Sequence, residues 1–244
     1  MMELNTLLDL QMENFIVSTY LTSKIDEQRG VKKEKDDPKY IQKWAESIRH
    51  LGLKGVVLHD GLSDEFTSCY PYIVFKKVDE VPQDMQLYDR RWVLYYMFVL
   101  NNDCGAVFFT DISDVVVRRN PFYEIDEDKL YCGDEPTSIR GCEWIQQSKI
   151  SLSPLPDYEK FLRSKNTLLN CGIFGGTASI VEAFLDVMNR YIEALMHRPI
   201  DGTVDMPIFN YIIWKYKIPI IHGEPVNSVF KWYQDRNDVW FIHK

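Results

Sequence analysis

Short apolar runs alternate with stretches of helical spacing along most of the chain. Phe15-Ile16-Val17-Ser18-Thr19-Tyr20-Leu21 predicts a first strand, 55–60 a second and Tyr72-Ile73-Val74-Phe75 a third; further runs at 106–117, 130–136, 168–176 and 218–223 complete the series. Between them, Tyr40, Ile41, Trp44, Ile48 and Leu51 recur at helical spacing behind Pro38 and stop at Gly52. A second helix is expected over about 85–100, with Trp92, Tyr95, Tyr96 and Val99 as its core face and Arg90 and Arg91 in its first half. A third follows Thr177 or Ser179 as cap, with Ile180, Phe184, Val187, Met188, Tyr191 and Leu195 in register. A fourth opens at Asp205, with an acid at its positive end and Pro207 in its first turn.

Strands that alternate with helices in this way predict an α/β fold, one domain over 1–244 with a mainly parallel central sheet covered by helices on both faces. Three stretches fit less well. Leu4, Leu7, Leu8 and Leu10 give residues 1–12 a short amphipathic pattern, expected to pack on the domain as an extension. The charged stretch 23–37 reads as a loop, and 141–165 shows no period, which predicts a long binding loop or lid.

One run stands apart. In Ala106-Val107-Phe108-Phe109-Thr110-Asp111-Ile112-Ser113-Asp114-Val115-Val116-Val117 an apolar strand drives into two carboxylates three residues apart and then resumes. Positions three apart on a continuous strand face opposite ways, so Asp111 and Asp114 meet on one ligand only if the chain turns between them. Carboxylates at the end of a buried strand stand where open α/β sheets bind ligands, and two hard oxygen donors suit a divalent cation that holds phosphates. Asp is also an ordinary turn residue, and a purely structural turn gives the same pattern.

Composition narrows the classes. A net charge of −8 with no basic stripe argues against nucleic acid and means that any diphosphate ligand needs a cation to offset repulsion. Five cysteines without C-x-x-C spacing indicate neither a disulfide framework nor a zinc site, so a reducing, cytoplasmic compartment is expected. No apolar run reaches the length of a membrane span, leaving only peripheral membrane contact.

Asp111 and Asp114, Asn170, Asp205 and His222 all stand at predicted element ends, as expected of one ligand site at the carboxyl edge of a sheet. The stretches Asp111-Ile112-Ser113-Asp114-Val115, Asn170-Cys171-Gly172, Asp205-Met206-Pro207-Ile208-Phe209-Asn210 and His222-Gly223 with Lys231-Trp232 resemble, in this order, motifs of the GT-A nucleotide-diphosphosugar glycosyltransferases. The branch with glycogenin and the bacterial lipopolysaccharide galactosyltransferases is the most similar. The acids are separated by two residues instead of one, Met206 stands where that branch has Gln, and Lys231 lies farther from His222 than its spacing puts it.

The resemblance implies a metal-dependent glycosyltransferase moving a hexose from a nucleotide diphosphate sugar, a UDP-sugar foremost, to a glycan, lipid-linked or protein acceptor. It implies Asp111, Asp114 and His222 as ligands of Mn²⁺, with Mg²⁺ as the alternative. It also places Thr19, Tyr20, Arg90, Asp111, Asn170, Gly172 and Lys231 on the nucleotide sugar, with Asp205 and Glu135 holding sugar hydroxyls or taking the acceptor proton. Each has a plainer reading: Tyr20 as core aromatic, Arg90 in a surface ion pair, Glu135 as a solvated strand tip, Asp205 as a helix-start acid and His222 as a structural hydrogen bonder. Two rival functions remain open. One is a non-catalytic nucleotide-sugar-binding homologue. The other, a metal-dependent phosphohydrolase with Asp111 as nucleophile, ordinarily has its second acid where Ser113 stands.

Overall fold

The computed structural model describes residues 12–26, 30–78, 85–196 and 204–244, so the 1–12 extension lies almost wholly outside the described residues. The first apolar run forms β1 (Glu13–Tyr20), followed by a two-residue hairpin of β2 (Ile25–Asp26) and β3 (Val31–Lys32) inside the expected loop. A 3-10 turn at Pro38–Tyr40, capped by the Asp37 carboxylate on the Lys39 amide, leads into α1 (Gln42–His50). β4 (Lys54–His59), α2 (Asp64–Ser68) and β5 (Ile73–Lys77) come next, with the Ser63 hydroxyl accepting from the Phe66 amide at the start of α2.

The middle of the chain holds α3 (Leu87–Leu100), β6 (Cys104–Thr110), β7 (Val115–Val117) and β8 (Leu130–Ser138). Next come α4 (Glu143–Gln147), α5 (Lys149–Leu152) and α6 (Tyr158–Leu162), then β9 (Thr167–Thr177), α7 (Ala178–Met196), α8 (Asp205–Tyr216), β10 (Ile220–His222) and β11 (Phe241–His243). The stretch 141–165 is therefore three short helices and not an open loop. Each is too short to show a period, and together they bury Ile145, Leu152 and Phe161. The Thr177 hydroxyl, just before α7, donates to the Glu127 carbonyl at 3.0 Å and lies 3.3 Å from the Ser179 hydroxyl.

Seven strands form the central sheet in the order β10-β8-β9-β6-β1-β4-β5. All neighbours are parallel except β9, which runs antiparallel to both β6 and β8. The reason lies in the connection. α4 to α6 bridge the end of β8 to the start of β9 on the same edge, so β9 must run back across the sheet. Its middle thereby meets the carboxyl end of β6, where Thr110 pairs with Ile173 and the Asp111 amide donates to the Gly172 carbonyl at 2.8 Å.

Alternation along β6 splits the core. Val107 and Phe109 face one layer, where Tyr95 of α3 stacks on Phe109 at 4.1 Å and Trp92 packs on Phe174 and Phe209. Phe108 faces the other, among Trp44, Trp240 and Phe241. Helices thus cover both faces of a largely parallel α/β sheet, as the pattern predicts. Among the described residues no helix is long and apolar enough to cross a membrane.

Candidate active site

β6 ends on a polar anchor. The Trp44 indole donates to Thr110 Oγ1 at 2.9 Å and the Ser18 hydroxyl to the Thr110 carbonyl at 2.6 Å, which fixes the strand where the chain departs. Residues 112–114 then make a turn, with buried Ile112 as its apolar pin, before β7 leaves the sheet. β7 pairs antiparallel with β11, setting Val115 opposite His243, and the Lys244 amide donates to the Asp114 carbonyl at 2.9 Å. The turn that the two aspartates require is present, and the chain's last strand brings a histidine to it.

Beside this turn lies a cavity of about 580 Å³. Asp111, Asp114, His243 and Lys244 line it from the turn and β11; Asn170, Cys171 and Gly172 from β9; Glu135 from β8; Arg91 from α3; Asp205 and Met206 from α8; and Phe230 and Lys231 from the loop before β11. Lys231 holds this place in a left-handed conformation, φ 64°, uncommon for a residue with a side chain.

Arg91 ties the walls together. Its Nη1 donates to Asp111 Oδ1 at 2.9 Å, and its Nη2 to Asp205 Oδ2 at 2.6 Å and Cys171 Sγ at 3.0 Å. Burial works against its charge, yet the Asp205 and Asp111 carboxylates hold the guanidinium well above its ordinary range. Asp205 also accepts from the Met206 amide at 2.8 Å, so the helix start and the arginine fix its carboxylate together. Burial pushes the Cys171 thiol far up, and Asp205 adds to the effect, so this sulfur stays protonated beside the arginine.

Across the cavity, Asn170 Nδ2 donates to Glu135 Oε1 at 2.8 Å while its Oδ1 accepts from the Gly172 amide at 2.7 Å. Burial raises the Glu135 pKa above the usual carboxylate range, against the pull of the Asn170 bond. Gly172 is required by close approach. A Cβ there would stand 2.6 Å from Asp111 Oδ2, 2.6 Å from the His243 ring and 2.9 Å from Asn170 Oδ1.

His243 is buried, and its Nδ1 has no hydrogen-bond partner. Burial lowers its pKa against the opposing pull of Asp111 and Asp114, which favours the neutral imidazole that a metal ligand must be. Its Nε2 stands 3.9 Å from Asp111 Oδ2, too far for a hydrogen bond. Donors about 2.1 Å from one octahedral ion stand roughly 3.0 Å apart when cis and 4.2 Å when trans, so the carboxylate–imidazole chemistry suits a divalent cation while the 3.9 Å spacing would have to adjust to share one. Among the described residues no three His, Cys, Asp or Glu side chains stand close enough together to hold a metal ion as they are.

No family model and no curated protein matches the sequence. Its structure is similar to that of LgtC, a galactosyltransferase solved in complex with donor and acceptor sugar analogs, with a TM-score of 0.57 at 14% identity over 94% of this chain and 86% of that one. The chain has a GT-A-type fold. Identity this low speaks for the architecture alone, and the chemistry is carried by the cavity.

Within the GT-A-type fold, Asp111, Asp114, Glu135, Asn170, Gly172, Asp205 and Lys231 all line one cavity. Four other predicted residues do not. His222 gives its Nδ1 to Asp134 Oδ2 at 2.9 Å on β10, three strand spacings from β6, or roughly 14 Å. The imidazole beside the aspartates is His243 instead. Arg90 Nη1 donates to the Ser23 hydroxyl at 3.0 Å, and it is the next residue on the helix, Arg91, that enters the cavity. Tyr20 is fully buried with its hydroxyl on the Glu34 carbonyl at 2.8 Å, and Thr19 bonds the Tyr95 hydroxyl, so neither lines the cavity. His243 had a sequence signal of the kind used for His222, an apolar run, Val239-Trp240-Phe241-Ile242, ending in histidine.

Proposed function

We propose that this chain is a metal-dependent glycosyltransferase that moves a hexose from a nucleotide diphosphate sugar, with a UDP-hexose as donor, to a carbohydrate-type acceptor. The observation that carries the reading is that Asp111, Asp114 and His243 line one cavity, with Asp111 Oδ2 3.9 Å from His243 Nε2 and Arg91 bridging Asp111 to Asp205. The GT-A-type fold supports it. Asp111, Asp114 and His243 would hold Mn²⁺, with Mg²⁺ as the alternative. Bound there, the ion would offset the charge developing on a departing diphosphate, without a proton donor.

The remaining tasks fall to the chain's own groups. Arg91 and Lys231 set fixed positive charge in a cavity that four carboxylates would otherwise make hostile to a polyanion. Asp205, locked by Arg91 and the Met206 amide, offers a rigid acceptor for sugar hydroxyls. Asn170 positions Glu135, whose raised pKa suits a base for the acceptor proton.

The direct test is thermal unfolding with UDP, with and without Mn²⁺, followed by a product assay with UDP-hexoses. At a hundredfold excess over Kd, Mn²⁺ with UDP should raise the melting temperature by roughly 5–10 °C. An equal rise in the presence of a chelator would remove the metal from the proposal.

Glu135 makes a further prediction. As a base it must be ionised, so transfer rises as pH climbs through its raised pKa, and the acid limb of the rate profile lies above the usual carboxylate value of about 4.3. Because burial penalises the charged form, the group's contribution to stability is fully present below its unfolded pKa and lost as pH rises through the folded one. Glu135→Gln should lower kcat by about 10²–10⁴-fold and abolish that limb, measured by rate profiles of both proteins. A limb unchanged in the variant would assign it to another group.

A further inference from the structure

β4 ends on a histidine that does not line the cavity. His59, 6% exposed, pairs with Tyr20 of β1 on one side and Lys77 of β5 on the other, and its ring stands edge-on to Phe75 with centroids 6.1 Å apart. The chain then turns back over the ring, and the Leu62 amide donates to His59 Nδ1 at 3.1 Å. A backbone amide can only donate, so this bond requires Nδ1 without its proton and the imidazole neutral.

The same turn holds two other segments. Asp60 takes the exit of β1, accepting from the Thr22 amide at 2.7 Å, the Thr22 hydroxyl at 3.1 Å and the Ser23 amide at 3.0 Å. The Ser63 amide donates to Asp36 Oδ1 at 2.9 Å and so secures a residue in the left-handed region, φ 59°. A proton on His59 Nδ1 would set one N–H against another and break the bond that closes this turn.

The charges around the ring separate two states. Burial is the largest influence and works against a positive imidazole, as does Lys77 on β5, whereas Asp60 in the turn, Asp36 in the segment 30–37 and Asp64 at the start of α2 favour it. The imidazolium is thus penalised where the ring is enclosed and favoured where an opened turn lets water reach it beside three carboxylates.

We propose that the 60–63 turn is a pH-operated latch, which closes on neutral His59 to clamp the exit of β1 to the segment 30–37 and opens when His59 gains a proton. It does not rest on the transferase reading. The stability it contributes is fully present above the unfolded histidine value of about 6.5 and is lost as pH falls through the lower value of the enclosed ring.

The test is amide hydrogen exchange by NMR on the full chain between about pH 7.5 and about pH 5, corrected for intrinsic rates, alongside titration of the His59 ring. The ring should titrate below about 6.5, and protection of the Leu62 and Ser63 amides should fall with the same midpoint, by about tenfold for each unit between the closed and open values, while β8 and β9 keep theirs. His59→Asn, whose Oδ1 keeps an acceptor near the place of Nδ1 but takes no proton, should remove the pH dependence. His59→Phe, which offers no acceptor, should leave both amides poorly protected throughout. A ring titrating at or above about 6.5, protection independent of pH in the unaltered protein, the same dependence in the Asn variant or full protection in the Phe variant would overturn the proposal.

Discussion

Replacing Arg91 with methionine is expected to destabilise the protein by about 3–5 kcal/mol, the usual consequence of removing one partner from a buried ion pair. Methionine fills much of the volume, so lost packing is a minor part. The cost arises because the Asp205 carboxylate, only 2% exposed, keeps the Met206 amide and the weak Cys171 thiol donor but no compensating charge. Asp111, a third exposed, can rehydrate more readily. Urea unfolding should show the midpoint fall with its slope unchanged. Adding Asp205→Asn should recover part of the loss, because the stranded charge disappears with it. A loss below about 1 kcal/mol would mean that water reaches Asp205 in solution and that the cavity floor is not the rigid wall described here.

Asp114→Ala is expected to remove the Mn²⁺-dependent stabilisation by UDP while changing the stability of the ligand-free protein by no more than about 0.5 kcal/mol. The turn has several holds that do not use this side chain. The contact with Lys244 uses the Asp114 carbonyl, buried Ile112 anchors the turn, and β7 is held by its pairing with β11, all of which alanine retains. His243→Ala would be a poorer probe, since it empties a buried position packed on Phe230 and confounds ligand loss with stability. Melting curves of the variant with and without Mn²⁺ and UDP decide between the two readings of the aspartates. A marked drop in the ligand-free melting temperature identifies a turn former, whereas a lost ligand shift at constant stability identifies a metal donor.

The order of strands and helices could be read along the chain because each has its own hydrophobic period, and a period is a local property. Trp92, Tyr95 and Val99 announce α3, and the apolar run 106–110 announces β6, wherever those elements finally sit. The carboxylates at 111 and 114 announce a turn at a strand end, since no straight strand points both the same way. Glu135, Asn170, Gly172, Asp205 and Lys231, expected from element ends or from the resemblance, meet in one cavity through the pairing of β8 with β9 and the packing of α8 and the loop before β11 against them.

Choices between neighbours were not legible. Arg90 and Arg91 are adjacent in the sequence and about 100° apart on the helix, so only the packing of α3 on the sheet sends one to Ser23 and the other to the two aspartates. His222 and His243 both end short apolar runs. Strand order separates them, placing β10 at the far edge beyond β8 and β9, while β11 closes on the turn itself. The direction of β9 was likewise hidden, because a strand's pattern reads the same both ways, and only the return path through α4 to α6 turns it so that Asn170, Cys171 and Gly172 reach the site. The sequence by itself determined what kinds of element form and which chemistry stands at their ends; long-range pairing alone decided which of those ends share a cavity, since that depends on contacts between residues far apart along the chain.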